Sequence, residues 1–413
     1  MSKKYFYVIF ILLISCTVPD DLSVQDTTTT ESQDTTTTTE SQDTTTTTES
    51  QDTTTTTESQ DTTTTTESQD TTTTTESQDT TTTTVAPSRK TSNKVNLEDI
   101  EITFFYGDEL SELAKNILLE NMNYAVKNLF SYPGVKLQNL QPIIVVQLDN
   151  NFESAIELEA QYCEYIEKNN RKYFSNSKCS KKQNNDGSRG IFTENWPYNS
   201  SISSNPFNNE SCCWLLTMQP YELPKKEKSL RMTSIHETFH IFQVSNYADL
   251  TDNNYEQFLI SGKISGDGYE QKPWWVEGNA VFFQHLYHAR SLNDIGIIKE
   301  TMRPSLFSCY CGDQGLGTIR DRFLNNGIKL YNYTWEIDSQ LAYEMGSWFT
   351  AYLVNIHGEE KILDFWINTQ TGILFEDNFL KFFGKDYRTY VDEFEDFIRN
   401  NDEKTIMEIL PTE

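Results

Sequence analysis

The sequence predicts a mixed fold, with strands confined to the early part of the folded region and helices dominating the rest. Three observations point there. The first 94 of the 413 residues offer no plausible core. Between residues 95 and 220, short apolar runs of strand type alternate with stretches of helical periodicity. Beyond residue 220 the apolar spacing is mostly helical. The chain is 36% hydrophobic and 13% aromatic, ample for a large core. A folded region of roughly 320 residues makes one large domain, or two closely packed subdomains.

Taken in order, the chain opens on Lys3 and Lys4, followed by an apolar run over Tyr5–Ile14. That run is too short to span a bilayer as a mature helix and reads as a signal segment. Leu13-Ile14-Ser15-Cys16 then resembles the lipobox of bacterial lipoproteins. The resemblance implies cleavage before Cys16, lipidation of that cysteine and a membrane anchor. Thr17, rather than Asp, implies an outer-membrane or cell-surface location. An ordinary cleaved secretory signal is the alternative to this lipoprotein signal over residues 1–16, and both readings export the chain.

Within residues 17–94, ESQDTTTTT repeats with a period of nine, in register from Glu31 to Glu76. Without aromatic or large apolar side chains in the repeat, nothing offsets the entropy of ordering. The segment is expected to be a solvated stalk with a coil span of roughly 50 Å.

The folded region comes next. Ile100–Tyr106 reads as a strand, and Leu110–Phe130 as a helix with Leu113, Ile117, Leu118, Met122 and Val126 on one stripe. Pro142–Leu148 is apolar throughout, the mark of an inner strand. Phe152–Lys168 is expected to be helical, residues 170–210 a polar surface loop, and Cys213–Met218 another strand.

The net charge of −28 divides unevenly. After residue 94 there are 46 acids against 28 bases, so the folded region stands at −18. An acidic domain argues against nucleic acid and anionic membrane surfaces as partners. Besides Cys16 there are Cys163, Cys179, Cys212, Cys213, Cys309 and Cys311. In an exported chain this even number suggests up to three disulfides, while a thiolate metal cluster lacks the usual C-x-x-C spacing.

Chemistry concentrates in SIHETFHIFQ, residues 234–243. On a helix, His236 and His240 lie one turn apart on one face, so both imidazoles can hold one ion. Glu237 stands beside them, where a carboxylate can take a proton from water. Met232, Ile235, Phe239 and Phe242 form an opposite stripe, which predicts one face on a core and one on a cleft. Zinc needs a third protein ligand. Gln243 and Asn246 stand where a metzincin would carry its glycine and third histidine, so that pattern fails. Downstream, PWWVEGNAVFFQH places Glu277 on an amphipathic run, with small Gly278 and Ala280 allowing close helix approach. Asp249 or Asp252 are the other candidate ligands. His285 and His288 read as helix-surface or second-site residues, since His288 lies about 16 Å along the helix from Glu277.

HETFHIFQ followed by WWVEGNAVFF resembles the gluzincin metallopeptidases, and AYEMGSWFTAYLVNIHGEEKILDFW (342–366) resembles their Y-E-x-G segment. The likeness spans roughly residues 230–400; a G-x-M-E-N stretch is absent from the sequence. It implies His236, His240 and Glu277 as zinc ligands, Glu237 as general base and Tyr343 as donor to the oxyanion. It also implies a thermolysin-like α+β fold, with a sheet-bearing subdomain over 95–250 and a helical one over 251–413. The expected activity is hydrolysis of a peptide or protein substrate by one Zn2+ ion. A catalytically inactive binding or adhesion protein, and a hydrolase acting on something other than peptide, are the rivals.

Overall fold

The computed structural model describes residues 100–135, 143–168, 179, 183–194, 196–197, 201–204, 214–247, 272–309, 317–369 and 373–412. Cys16, the signal segment, the stalk, Asp249, Asp252, Cys212, Cys213 and Cys311 lie outside the described residues.

The fold is α+β and mostly helical. Strand β1 (Ile102–Tyr106) leads to helix α1 (Glu112–Phe130), then β2 (Ile143–Gln147) and α2 (Phe152–Lys168). β3 (Ser201–Ser204) and β4 (Trp214–Met218) complete a sheet of order β1-β2-β4-β3. β1, β2 and β4 run parallel, and β3 is antiparallel to β4. β3 was expected to be loop. Its sequence is Ser-Ile-Ser-Ser, so it carries one apolar residue and no alternation to read.

The inner position of β2 explains its uninterrupted apolar run. Ile143 and Val145 face the main core, while Ile144, Val146 and Leu148 face a smaller core beneath α2. α1 packs its buried stripe, including Ile117, Leu118, Met122 and Val126, into the main core. Leu113, expected on that stripe, is instead 48% exposed. It sits in the first turn, beside a stripe that begins with its neighbour Ala114.

The polar region after α2 is pinned in two ways. Cys163 and Cys179 form a disulfide with a Cα–Cα distance of 5.5 Å. Glu159, fully buried on α2, accepts hydrogen bonds from the backbone N–H groups of Arg189, Ile191, Phe192 and Thr193. The Thr193 hydroxyl also donates to it, at 2.8 Å. Cys309 is a free, exposed thiol.

The helices continue as α3 (Glu227–Tyr247), α4 (Pro273–Ser291), α5 (Ile297–Met302), α6 (Pro304–Phe307) and α7 (Ile319–Asn325). After these come α8 (Ser339–His357), α9 (Glu359–Ile367), α10 (Phe375–Phe383), α11 (Tyr387–Asn400) and α12 (Glu403–Met407). α4 is the central element, packed along α8 on one side and α3 on another. Its Trp275 is fully buried among Phe365, Trp366, Phe375, Phe379 and Phe383. Burying a large apolar side chain is worth about 1.5–3 kcal/mol, so this cluster fixes where the N-terminal end of α4 lies. No described helix is long and apolar enough to cross a membrane.

Candidate metal centre

α3 begins after Pro224 with Glu227 in its first turn, where the helix dipole favours an acid. Contacts on both sides then set its rotation. Thr238 meets Met122 of α1, and the Phe239 ring stacks on Phe283 of α4 with centroids 4.6 Å apart. Phe242 packs against Phe130 of α1. The expectation of one core face and one cleft face needs correction. Ile235, Phe239 and Phe242 are buried, but so are His236, Glu237 and His240. The site lies between α3 and α4 rather than on an open flank.

α4 starts with Pro273 in its first turn, a position that lacks a helical N–H partner anyway. Trp274 and Trp275 anchor that end, and Glu277 follows on the face toward α3. Its approach to α8 depends on Gly278. A Cβ there would come within 2.4 Å of the Gly346 backbone.

These constraints bring three donors together. His240 Nε2 lies 3.0 Å from His236 Nε2 and 3.0 Å from Glu277 Oε2. His236 Nε2 lies 3.3 Å from the same carboxylate oxygen. A tetrahedral ion with bonds of about 2.0–2.1 Å would space its ligand atoms by about 3.3–3.4 Å. The triangle is therefore close to one face of such a tetrahedron. Among the described residues, these three form the buried group whose ligand atoms are near enough to share one ion.

The proton inventory agrees. Gln243, one turn beyond His240, donates from Nε2 to the Val276 carbonyl at 2.9 Å. A carbonyl only accepts, so the amide orientation is settled and Oε1 faces His240 Nδ1 at 2.7 Å. Oε1 also only accepts, so Nδ1 carries the ring proton. In neutral His240 the Nε2 lone pair then points at another imidazole nitrogen and a carboxylate. A cation is one group that could sit between them. A proton is the smallest one, and the titration behaviour reflects it. Burial opposes the charged form of His240, but the charge and hydrogen bond of Glu277 outweigh it and push the pKa up. Burial likewise opposes the Glu277 carboxylate, and His240 reverses that, holding its pKa low. For His236 burial prevails and the pKa falls. The buried group can therefore hold one metal ion on two nitrogens and one oxygen.

Glu237 follows His236 on α3, is fully buried, and its charge is felt by both His240 and Tyr343. Tyr343 of α8 reaches the same place. Burial raises its phenol pKa well above the ordinary value, as do the charges of Glu277 and Glu237 and a hydrogen bond to Glu277. His236, His240 and Glu277 thus meet at one centre, and the charges of Glu277 and Glu237 are felt by Tyr343. No family model, curated protein or solved structure matches the chain.

His285 and His288 depart from expectation. Both are buried on α4, at 6% and 3% exposure, rather than on its surface. Neither joins the ligand group. Two residues were missed. Gln243 fixes the tautomer of His240; the signal was its position three residues on, where a helix returns to the same face. Gln284 of α4 stands near His236 and favours its charged form, although His236 Nδ1 makes no well-aligned hydrogen bond.

Proposed function

We propose that the chain is a zinc-dependent peptidase of gluzincin type, with a thermolysin-like arrangement of its sheet and helices. The convergence of His236, His240 and Glu277 beside the carboxylate of Glu237 carries this assignment. Two imidazoles and a carboxylate suit Zn2+, and three protein ligands leave a position open. His236 and His240 would hold the ion through Nε2 and Glu277 through Oε2. Bound there, zinc would supply Lewis-acid polarisation of a carbonyl and acidify a water molecule.

The protein's own groups do the rest. Glu237 takes the proton of the attacking water on its carboxylate and returns it to the leaving amine. Tyr343 donates its hydroxyl to the developing oxyanion, an interaction strongest in the transition state. Gln243 keeps His240 in the tautomer that presents Nε2. Export and tethering through lipidated Cys16, with the Thr-rich segment as a spacer, would place this activity at the cell envelope.

The test pairs metal analysis with a digest. Wild type is expected to carry one zinc per chain and to cleave casein in a chelator-sensitive way. Glu237→Gln is expected to keep the zinc and lower kcat by about 10²–10⁴-fold. Zinc-loaded protein that cleaves no peptide would leave a binding role, and Glu237→Gln with undiminished rates would refute the base.

A further inference from the structure

A second group of charged and titratable side chains lies away from the three-ligand centre. There the start of α3, the end of α4 and α5 line a cavity of about 330 Å³. That volume is at the small end of ligand sites, which run from about 300 to 1,000 Å³. Lys228 and Arg231, three residues apart on α3, line it from one helix face. His288 of α4 lines it as well, and Leu292 and Ile297 give it an apolar side. His288 stands about 16 Å along α4 from Glu277, so the cavity is separate from the metal centre.

The charges around this cavity do not cancel. Arg231 is held by Glu227, whose carboxylate its guanidinium meets at 2.8 Å. Lys228 forms no ion pair among the described residues. It also stands in the first turn of α3, where the helix dipole opposes a cation and favours an anion. Burial pushes the pKa of His288 down to about 4, and the positive charges of Lys228 and Arg231 add to this against an opposing Glu227. Glu300, the other acid of the lining, is exposed and is not among the charges that act on His288. His288 itself is 3% exposed, yet its Nδ1 is buried with no hydrogen-bond partner. Its Nε2 has no partner among the described residues either and is the ring nitrogen left accessible. Buried polar side chains are nearly always hydrogen-bonded, so an unpaired imidazole in a cavity wall is a place for a ligand atom.

We propose that this cavity binds a small organic carboxylate with an aliphatic body. One carboxylate oxygen accepts from the Lys228 ammonium and the other from the Nε2–H of neutral His288, both charge-assisted bonds. The aliphatic body lies against Leu292 and Ile297 and covers Leu292, which is otherwise 44% exposed. A single unpaired cation beside a neutral imidazole matches one negative charge. A phosphate dianion asks for a second free cation, and Arg231 is already committed to Glu227. The site stands whether or not the chain is a peptidase.

The test titrates full-length protein calorimetrically with isocaproate, with its neutral amide isocaproamide, and with inorganic phosphate. Isocaproate is expected to bind with a Kd of about 1 mM or tighter, as suits so small a ligand. The amide and phosphate are expected to bind at least about 10-fold more weakly, since one lacks the charge and the other the apolar body. Lys228 is exposed, so Lys228→Met keeps the fold, with the melting temperature as control. It is expected to weaken isocaproate by about 10-fold or more. Position is read separately. The chain has five histidines, and NMR of ring-labelled histidine gives each imidazole its own signal. Isocaproate is expected to move the signal that is lost in His288→Gln. A carboxylate that binds at the metal centre instead would move the His236 and His240 signals and bind Lys228→Met as tightly as wild type. That outcome overturns the proposal, as does an amide or phosphate that binds as well as isocaproate, or no isocaproate binding at about 10 mM.

Discussion

Gly278 of α4 and Gly346 of α8 meet backbone to backbone. A Cβ on Gly346 would lie 2.1 Å from the Trp274 carbonyl oxygen, and one on Gly278 would lie 2.4 Å from the Gly346 carbonyl carbon. Neither helix backbone can yield cheaply at such distances. The crossing places Glu277, the residue before Gly278, and Tyr343, one turn before Gly346, at the same centre.

The first prediction comes from that crossing. Gly346→Ala is expected to cost about 3 kcal/mol or more of unfolding free energy, because it forces two buried helices apart. It is also expected to weaken zinc binding, since Glu277 moves with α4. Gly327→Ala is the control. Nothing lies within 4 Å of a Cβ there, and only the backbone φ of +74° opposes it. A loss near 1 kcal/mol with unchanged zinc affinity is expected. Denaturant titration and dye competition for zinc measure both.

A second prediction concerns Gln243. Its amide fixes the proton on His240 Nδ1 while tying α3 to the Val276 carbonyl of α4. Gln243→Leu removes both links at similar volume. Partners of this kind typically govern metal affinity by 10–100-fold. Zinc affinity is therefore expected to fall by about 10-fold or more, measured by competition with a chelating dye. An affinity equal to wild type would mean that the tautomer is held by something else.

Much of this centre was legible because its chemistry has a fixed spacing. His236 and His240 stand one turn apart, and Glu277 follows a Trp-Trp-Val run with a glycine after it. The α1 segment was legible through its 3.6-residue period, and β2 through a short run that is apolar throughout. What was not legible depends on who packs against whom. α3 carries polar residues that a helical wheel assigns to solvent, but α4 covers that face and buries His236, Glu237 and His240. α4 has the same character, so His285 and His288 are buried on a helix whose pattern allowed an exposed side. β3 has almost no side-chain signal, because backbone pairing to β4 makes it a strand. Glu159 looked like one acid among many. Its role appears only once residues 189–193 turn their N–H groups toward it.

That carboxylate gives a third prediction. Glu159→Ala would strand several backbone donors that now point at a fully buried carboxylate, each costing about 1–3 kcal/mol if left unmade. A loss of at least about 3 kcal/mol is expected, read by denaturant unfolding. Glu159 lies on α2, outside the ligand group, so zinc stoichiometry of the folded fraction is expected to stay at one. Loss of zinc from protein that is still folded would tie this loop to the metal centre.

The last prediction concerns acid. Burial pushes the pKa of His285 down to about 3, with Lys228 adding to it, and that of His288 down to about 4, with Lys228 and Arg231 adding. An unfolded histidine titrates near 6.5. Above that value both rings are neutral in either state, and the stability is fully present. As pH falls below about 6.5, the unfolded chain takes up two protons that the folded chain refuses. Stability is therefore expected to drop steadily down to about pH 3, with the His288 share complete near pH 4. Replacing both residues with Gln removes this linkage. Unfolding free energies at pH 7 and pH 5, measured for wild type and for His285→Gln/His288→Gln, check it. The pH 7 to pH 5 loss is expected to shrink in the double variant, and an equal loss in both proteins would show that these two histidines are already charged in the folded chain.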